Sequence, residues 1–382
     1  MFIRKTAYTF PQIPLKTTEA QQSTKVDLSS SEMKEIKKYR IACVGAFEKA
    51  RNVIEKRKDI NTVFETEKSR ETFLNNLITT VEEYSSKIIS TVASKKDFGT
   101  CFYYTWSSSI FDPQNIGYDD YRYDLMGFYF NVAAAHYGVA QYILCTRATV
   151  GTISSFEKEA YHTLLKASGY FGLCEELSKV IKESPIGVAK VPFPMDSAQN
   201  SFELLGDICV SQAQEIGVFR AFDADTKCAS DTVVRLAHRL VDLYENAKAT
   251  ASKISSRNPA FISLTTVLTF KKDLYEAHLY NFAATWAFQK SPANGMYFLG
   301  EAKKRVELLE EYNKLLGKGK LKLPQGGAES LQNTIAEIKR NDERLSKVNS
   351  MVHRASPTST PLPASQILAV KANSKLPSEL PK

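Results

Sequence analysis

Apolar side chains recur every three or four residues over most of this chain, the spacing of one face of a helix. Met33, Ile36, Ile41, Val44, Phe47 and Ile54 share such a face, in a segment that opens on a serine cluster followed by Glu32 and Glu35, a helix start. Phe64, Phe73, Leu74, Leu77, Ile78, Val81 and Tyr84 repeat the pattern over 63–95. The stretch 123–145 sets large aromatics (Phe128, Phe130, Tyr137, Tyr142) among Ala133, Ala134, Ala135, Gly138 and Ala140, which lets neighbouring helices approach and interdigitate. Further helices are predicted over about 156–182, 260–289, from the Ser291–Gly295 break through Tyr312, and 328–349. The two ends differ. Pro11 and Pro14 interrupt residues 1–30, where Tyr8 and Phe10 alternate with polar neighbours and predict a short β element. Pro357, Pro361, Pro363, Pro377 and Pro381 exclude helix after Ser356, so the reading is a helical domain over 1–356 and an extended tail over 357–382. Ile367, Leu368 and Val370 are the apolar residues expected to dock that tail on the body.

The pattern is densest between Phe202 and Tyr244, which reads as two helices joined by a polar turn, Phe222-Asp223-Ala224-Asp225. Phe202, Leu205, Cys209, Ile216 and Phe219 form the stripe of the first helix, with Gln212 and Glu215 in or beside it. Polar groups there cost free energy unless satisfied, so hydrogen bonds between helices are expected. In the second helix Val233, Val234, Leu236, Ala237, Leu240, Val241 and Tyr244 cover more than half of the circumference. Either a helix sandwiched on two sides or a core helix with a ligand-facing surface explains so wide a stripe.

Composition narrows the functional classes. The chain has 382 residues, 43% hydrophobic and 24% charged, the proportions of a soluble globular protein, and no apolar run approaches a membrane span. Its start has no apolar segment of the kind a secretory signal needs. Fifty Lys and Arg against 42 Asp and Glu give +8, spread along the chain rather than concentrated in a basic stripe, which argues against nucleic acid. Six scattered cysteines without a C-x-x-C pair predict free thiols in a cytoplasmic protein. Five histidines stand apart without a partner at helical spacing, so no metal site is expected. No nucleophile elbow, P-loop or dinucleotide fingerprint is present, and neither catalytic residues, a cofactor nor a small-molecule substrate is predicted.

The order of several stretches carries more than any one of them. TWSSSIFD (105–112), YDLMGFYFNVAAAHYGVAQ (123–141), AYHTLLKASGYFGLCEEL (160–177), SQAQEIGVFRA (211–221) and NSMVHRASP (349–357) resemble, in sequence order, the segments of the BRO-one domain family of ESCRT-associated proteins. The resemblance covers almost the whole chain and is closest in layout to the single-domain members. It implies a mainly α fold: an elongated, boomerang-like helical solenoid with tetratricopeptide-like hairpins. It also implies a non-enzymatic adaptor recruited to endosomes, which takes up the C-terminal amphipathic helix of an ESCRT-III subunit and has peripheral contact with the membrane. In the family an aromatic just after the Gln-Ala-Gln-Glu motif and aliphatics on the next helix form the binding patch. The matching positions are Gly217 or Val218, then Val233, Leu236 and Leu240; Gly217 in place of the aromatic is a departure. Val352 stands where some relatives carry a tyrosine, and no C-terminal prenylation box is present. A tetratricopeptide-like scaffold for a non-ESCRT peptide or a small GTPase is the alternative.

Overall fold

The structure, a computed structural model, describes residues 10–22, 31–111, 115–146, 153–184, 186, 194–224, 229–324, 326–370 and 372. Helices dominate. They are α1 (Ser31–Ile54), the single turn α2 (Ile60–Val63), α3 (Glu67–Ser94), α4 (Tyr121–Thr146), α5 (Ile153–Glu183), α6 (Gln199–Ala224), α7 (Asp231–Ser252), α8 (Pro259–Phe288), α9 (Pro292–Gly317) and α10 (Gly327–Val348). Local chemistry sets several starts. Thr66 and Ser69 exchange side-chain and backbone hydrogen bonds in a capping box at α3, and Ser230 accepts from the Val233 amide at α7. Asn258 and Ser291 cap α8 and α9, each followed by a proline in the first helical turn.

From α4 to α9 each helix packs chiefly on the one before and the one after, and α10 closes the series against α8 and α9. That succession of antiparallel hairpins makes an elongated array. One core cluster runs through most of it, and a smaller one, including Phe270, Leu274, Val306 and Ile335, fills the α8–α9–α10 end.

A β element lies within residues 1–30, as expected; Tyr8 lies outside the described residues. Strand β1 (Thr18–Gln22) pairs antiparallel with β2 (Phe102–Trp106), and β2 with β3 (Ile116–Tyr118). The aromatic stretch before Ser107 is therefore the central strand. It is fastened to the helices through Asp124 of α4. This buried carboxylate accepts from Arg40 Nε and Nη2 at 2.9 Å each, Tyr84 Oη at 2.8 Å and Trp106 Nε1 at 3.2 Å. Four elements thus converge on one charge, and Arg40 compensates its burial.

Two extended segments run over the helices. Residues 10–17 enter beside α4, where Asn131 accepts from the Lys16 amide at 2.7 Å and donates to the Lys16 carbonyl at 2.8 Å. At the other end the π-turned residues Asn349–His353 finish α10, and Asn349 bonds both the amide and the carbonyl of Ala355 at 3.0 Å. The chain then turns back over the body without helix to residue 370, as the prolines dictate. Cys43, Cys101, Cys145, Cys174 and Cys209 are free thiols; Cys228 lies outside the described residues.

Candidate functional site

Helix α6 is buried on nearly all sides, and its Gln-Ala-Gln-Glu segment works in two directions. Gln212 and Glu215 face neighbouring helices. Gln141 of α4 donates to Gln212 Oε1 at 3.0 Å. Lys271 of α8 donates to Glu215 Oε1 at 2.8 Å, and Tyr244 of α7 donates to the same oxygen. Burial raises the pKa of Glu215 and Lys271 opposes that rise; burial lowers Lys271, opposed by Glu215. Tyr244 and Tyr275 stack beside the pair with centroids 5.7 Å apart. The polar residues in the apolar stripe thus join helices, as expected. The polar turn does not fall where it was expected. Phe222, Asp223 and Ala224 continue α6, and Asp225 lies outside the described residues.

Gln214 and Gly217 point the other way, to the tail. Gln214 Oε1 accepts from the amides of Leu368 and Ala369 at 3.1 and 2.9 Å, while Nε2 donates to the carbonyls of Leu236 and Gln366 at 3.1 and 3.3 Å. The Gln366 amide reaches the Arg235 carbonyl of α7 at 3.0 Å. His238 Nδ1 lies 2.7 Å from the Pro363 carbonyl, so that nitrogen carries the proton, and Tyr161 of α5 donates to the Leu368 carbonyl at 3.0 Å. The tail thus crosses α5, α6 and α7 as an extended peptide held by its backbone. Of its expected anchors, Leu368 is 46% exposed with its side chain against Gly217, Ile367 and Val370 are 57% and 63% exposed, and Ala369 between them is buried. A small side chain lets the backbone come within reach of Gln214.

The residues expected to line a binding patch come together here, but below the surface. Val218, Val233, Leu236 and Leu240 are buried, none more than 4% exposed, so α6 and α7 do not present them to solvent. Its wide stripe is that of a helix sandwiched between α6 and α8. Gly217 is buried too, and a Cβ on it would overlap Leu368 Cδ2. The apolar side chains that reach solvent at this place belong to the tail, which periodicity on α7 could not reveal.

Elsewhere charges are paired. In the cleft between α3 and α5, Arg70 donates to both oxygens of Glu159 at 2.6 and 2.5 Å. Among the described residues no group of His, Cys, Asp and Glu is placed to hold a metal ion, and no helix is long and apolar enough to cross a membrane.

Solved structures share this fold. ALIX in complex with the SIVmac239 PYKEVTEDL late domain superimposes with a TM-score of 0.67 at 16% identity over 97% of this chain, which spans 50% of that one. The ALIX BRO1–CHMP4C complex gives 0.62 at 15% identity over 97% of both chains. A structure describing the basis for endosomal targeting by the Bro1 domain gives 0.63 at 13% identity, over 96% of this chain and 93% of that one. No curated protein matches by sequence. The family model of the BRO1-like domain matches residues 10–379, and the chain belongs to that family.

Proposed function

We propose that this chain is a non-enzymatic, cytoplasmic ESCRT-associated adaptor that docks the C-terminal amphipathic helix of an ESCRT-III subunit over α6 and α7 and is thereby recruited to endosomes. The observation that carries the reading is the shared fold, end to end, with an ALIX domain in complex with CHMP4C, together with the meeting of α6, α7 and tail at the matching positions. Helix-in-groove recognition needs apolar anchors on the peptide and a rigid apolar surface rimmed by polar groups. Val218, Val233, Leu236 and Leu240 supply the rigid floor by packing α6 on α7, and Gly217 sets the depth of the surface above them. Contact with the endosomal membrane is peripheral, through the partner.

Titrating the protein against fluorescent peptides of the C-terminal helices of the ESCRT-III subunits tests this. At least one is expected to bind with a Kd of about 10 μM or tighter, near −7 kcal/mol. No binding by any helix at about 1 mM, near −4 kcal/mol, overturns the reading. Binding of an acidic non-ESCRT peptide or a small GTPase with every helix silent moves it to the scaffold alternative.

A further inference from the structure

Three large apolar side chains, Ile367, Leu368 and Val370, stand 46% or more exposed within four residues of a proline-rich tail. A loose tail with exposed apolar residues would be unremarkable. This one is not loose. The amides of Gln366, Leu368 and Ala369 and the carbonyls of Pro363, Gln366 and Leu368 all bond to the body, through groups on α5, α6 and α7. The side chains are therefore held at fixed positions by their own backbone. Ala369 is turned in, and Ile367 and Val370 remain largely in solvent.

Leu368 also has a place made for it. The space a side chain at Gly217 would enter is filled by Leu368: its Cδ2 overlaps that position, and its Cγ and Cβ follow at 3.5 and 3.9 Å with no other atom nearer. Helix α6 has a notch there, and the tail, more than 150 residues later, plugs it with an aliphatic group that remains 46% exposed. Seen from solvent, the apolar surface over α6 and α7 is made by the tail.

We infer that the tail is part of the docking surface: Leu368 seated in the Gly217 notch, with Ile367 and Val370 beside it, forms the apolar contact for the ESCRT-III amphipathic helix. This rests on the function proposed above and adds to it that the contacting side chains come from the tail rather than from α7. The occupant is the amphipathic helix of that reading, because Ile367, Leu368 and Val370 present aliphatic side chains rather than charges, the contact an apolar helix face takes.

Binding of the tightest ESCRT-III C-terminal helix is measured on the full chain and three variants, with thermal melting as a fold control. Leu368→Asp is expected to weaken binding at least tenfold while melting within about 2 °C of the parent, because the site is half exposed. Gly217→Phe/Leu368→Asp is expected to recover affinity to within about threefold, because the ring enters the vacated notch and restores an apolar surface from the helix side. Ile367→Asp/Val370→Asp is expected to bind at least fivefold more weakly with unchanged melting. If the parent binds and Leu368→Asp binds equally well, the inference fails and the adaptor reading stands. Tighter binding by Leu368→Asp would make the tail a cover over the site, and also overturns the inference. If the parent binds none of the helices, both fall. Should Leu368→Asp melt far lower, the tail pair of aspartates decides alone, since neither side chain fills the notch.

Discussion

The chain fixes an extended segment to its helices twice, each time with one carboxamide, and the results are opposite. Asn131 grips both backbone groups of Lys16, and around that point Phe10, Ile13 and Leu15 are buried, 6% exposed at most. Further bonds, from the Leu15 amide to Glu55 and from Tyr137 to the Pro11 carbonyl, follow the same path. Gln214 grips the tail in the same manner, yet Ile367 is 57% and Val370 63% exposed. The first segment is held by side chains and backbone together and belongs to the core. The second is held by backbone, by Ala369 and by Leu368 against Gly217, which leaves Ile367 and Val370 for another purpose. A carboxamide clamp fixes position and leaves open whether the clamped peptide is structure or surface.

The largest test of that contrast places a charge on each segment. Ile13→Asp is expected to cost more than about 4 kcal/mol in urea unfolding, since a carboxylate at a 2% exposed site has no partner. Leu236→Asp should fall with it, and Ile367→Asp should stay within about 0.5 kcal/mol of the parent. Comparable losses at 13 and 367 would erase the distinction. Next in size, Glu215→Leu removes the carboxylate that pairs with the buried Lys271 ammonium, an expected loss of about 3 kcal/mol. Glu215→Leu/Lys271→Met should regain most of it, because removing both charges removes the desolvation cost as well. A double variant as unstable as the single would mean that the packing of Tyr244 and Tyr275 depends on the charges.

Acid should loosen the body under both segments. Burial lowers His136 of α4 and His278 of α8 to about 4 from the ordinary 6.5. Between those values the unfolded chain binds protons that the folded one refuses. Stability is then full above pH 6.5 and declines as pH falls towards 4, by about 1.4 kcal/mol per histidine per pH unit. His136→Gln and His278→Gln should each flatten the slope of unfolding free energy against pH over this window; an unchanged slope in both would contradict neutral burial. The smallest effect sets the clamps side by side. Asn131→Ala is expected to cost about 2 kcal/mol, because it leaves a buried backbone amide and carbonyl unsatisfied. Gln214→Ala should cost about 1 kcal/mol and show instead as faster hydrogen exchange at the Leu368 and Ala369 amides.

Much of the helical order was legible because helix faces repeat and caps announce themselves. The 3.6-residue period marked α1 and α3 to α10, although Ser291–Gly295, read as a break, is the capped start of α9. The strand Phe102–Trp106 was not, since its pairing depends on Thr18–Gln22 more than eighty residues earlier. At the site, periodicity found the right helices and the wrong exposure. Val233, Leu236 and Leu240 mark a wide apolar arc, but an arc has the same sequence whether a neighbouring helix or a ligand completes it. In the tail the reasoning from apolarity held for Leu368, which meets Gly217, while Ala369 and the amides do the rest of the docking and Ile367 and Val370 are mostly exposed. Gly217 carried the missing signal. A glycine inside a long buried helix is disfavoured by about 1 kcal/mol relative to alanine, and close approach of another segment is a common reason for it.

The pairing of Gly217 with Leu368 also has a bearing on how the protein is made. Gln214 and Leu368 are 154 positions apart, and translation delivers α6 and α7 long before the tail. During that interval the notch is empty and the helical body can already fold. A partner that reads the tail-built surface would engage only after residues 363–370 have been made and have settled there, so synthesis itself would time recruitment.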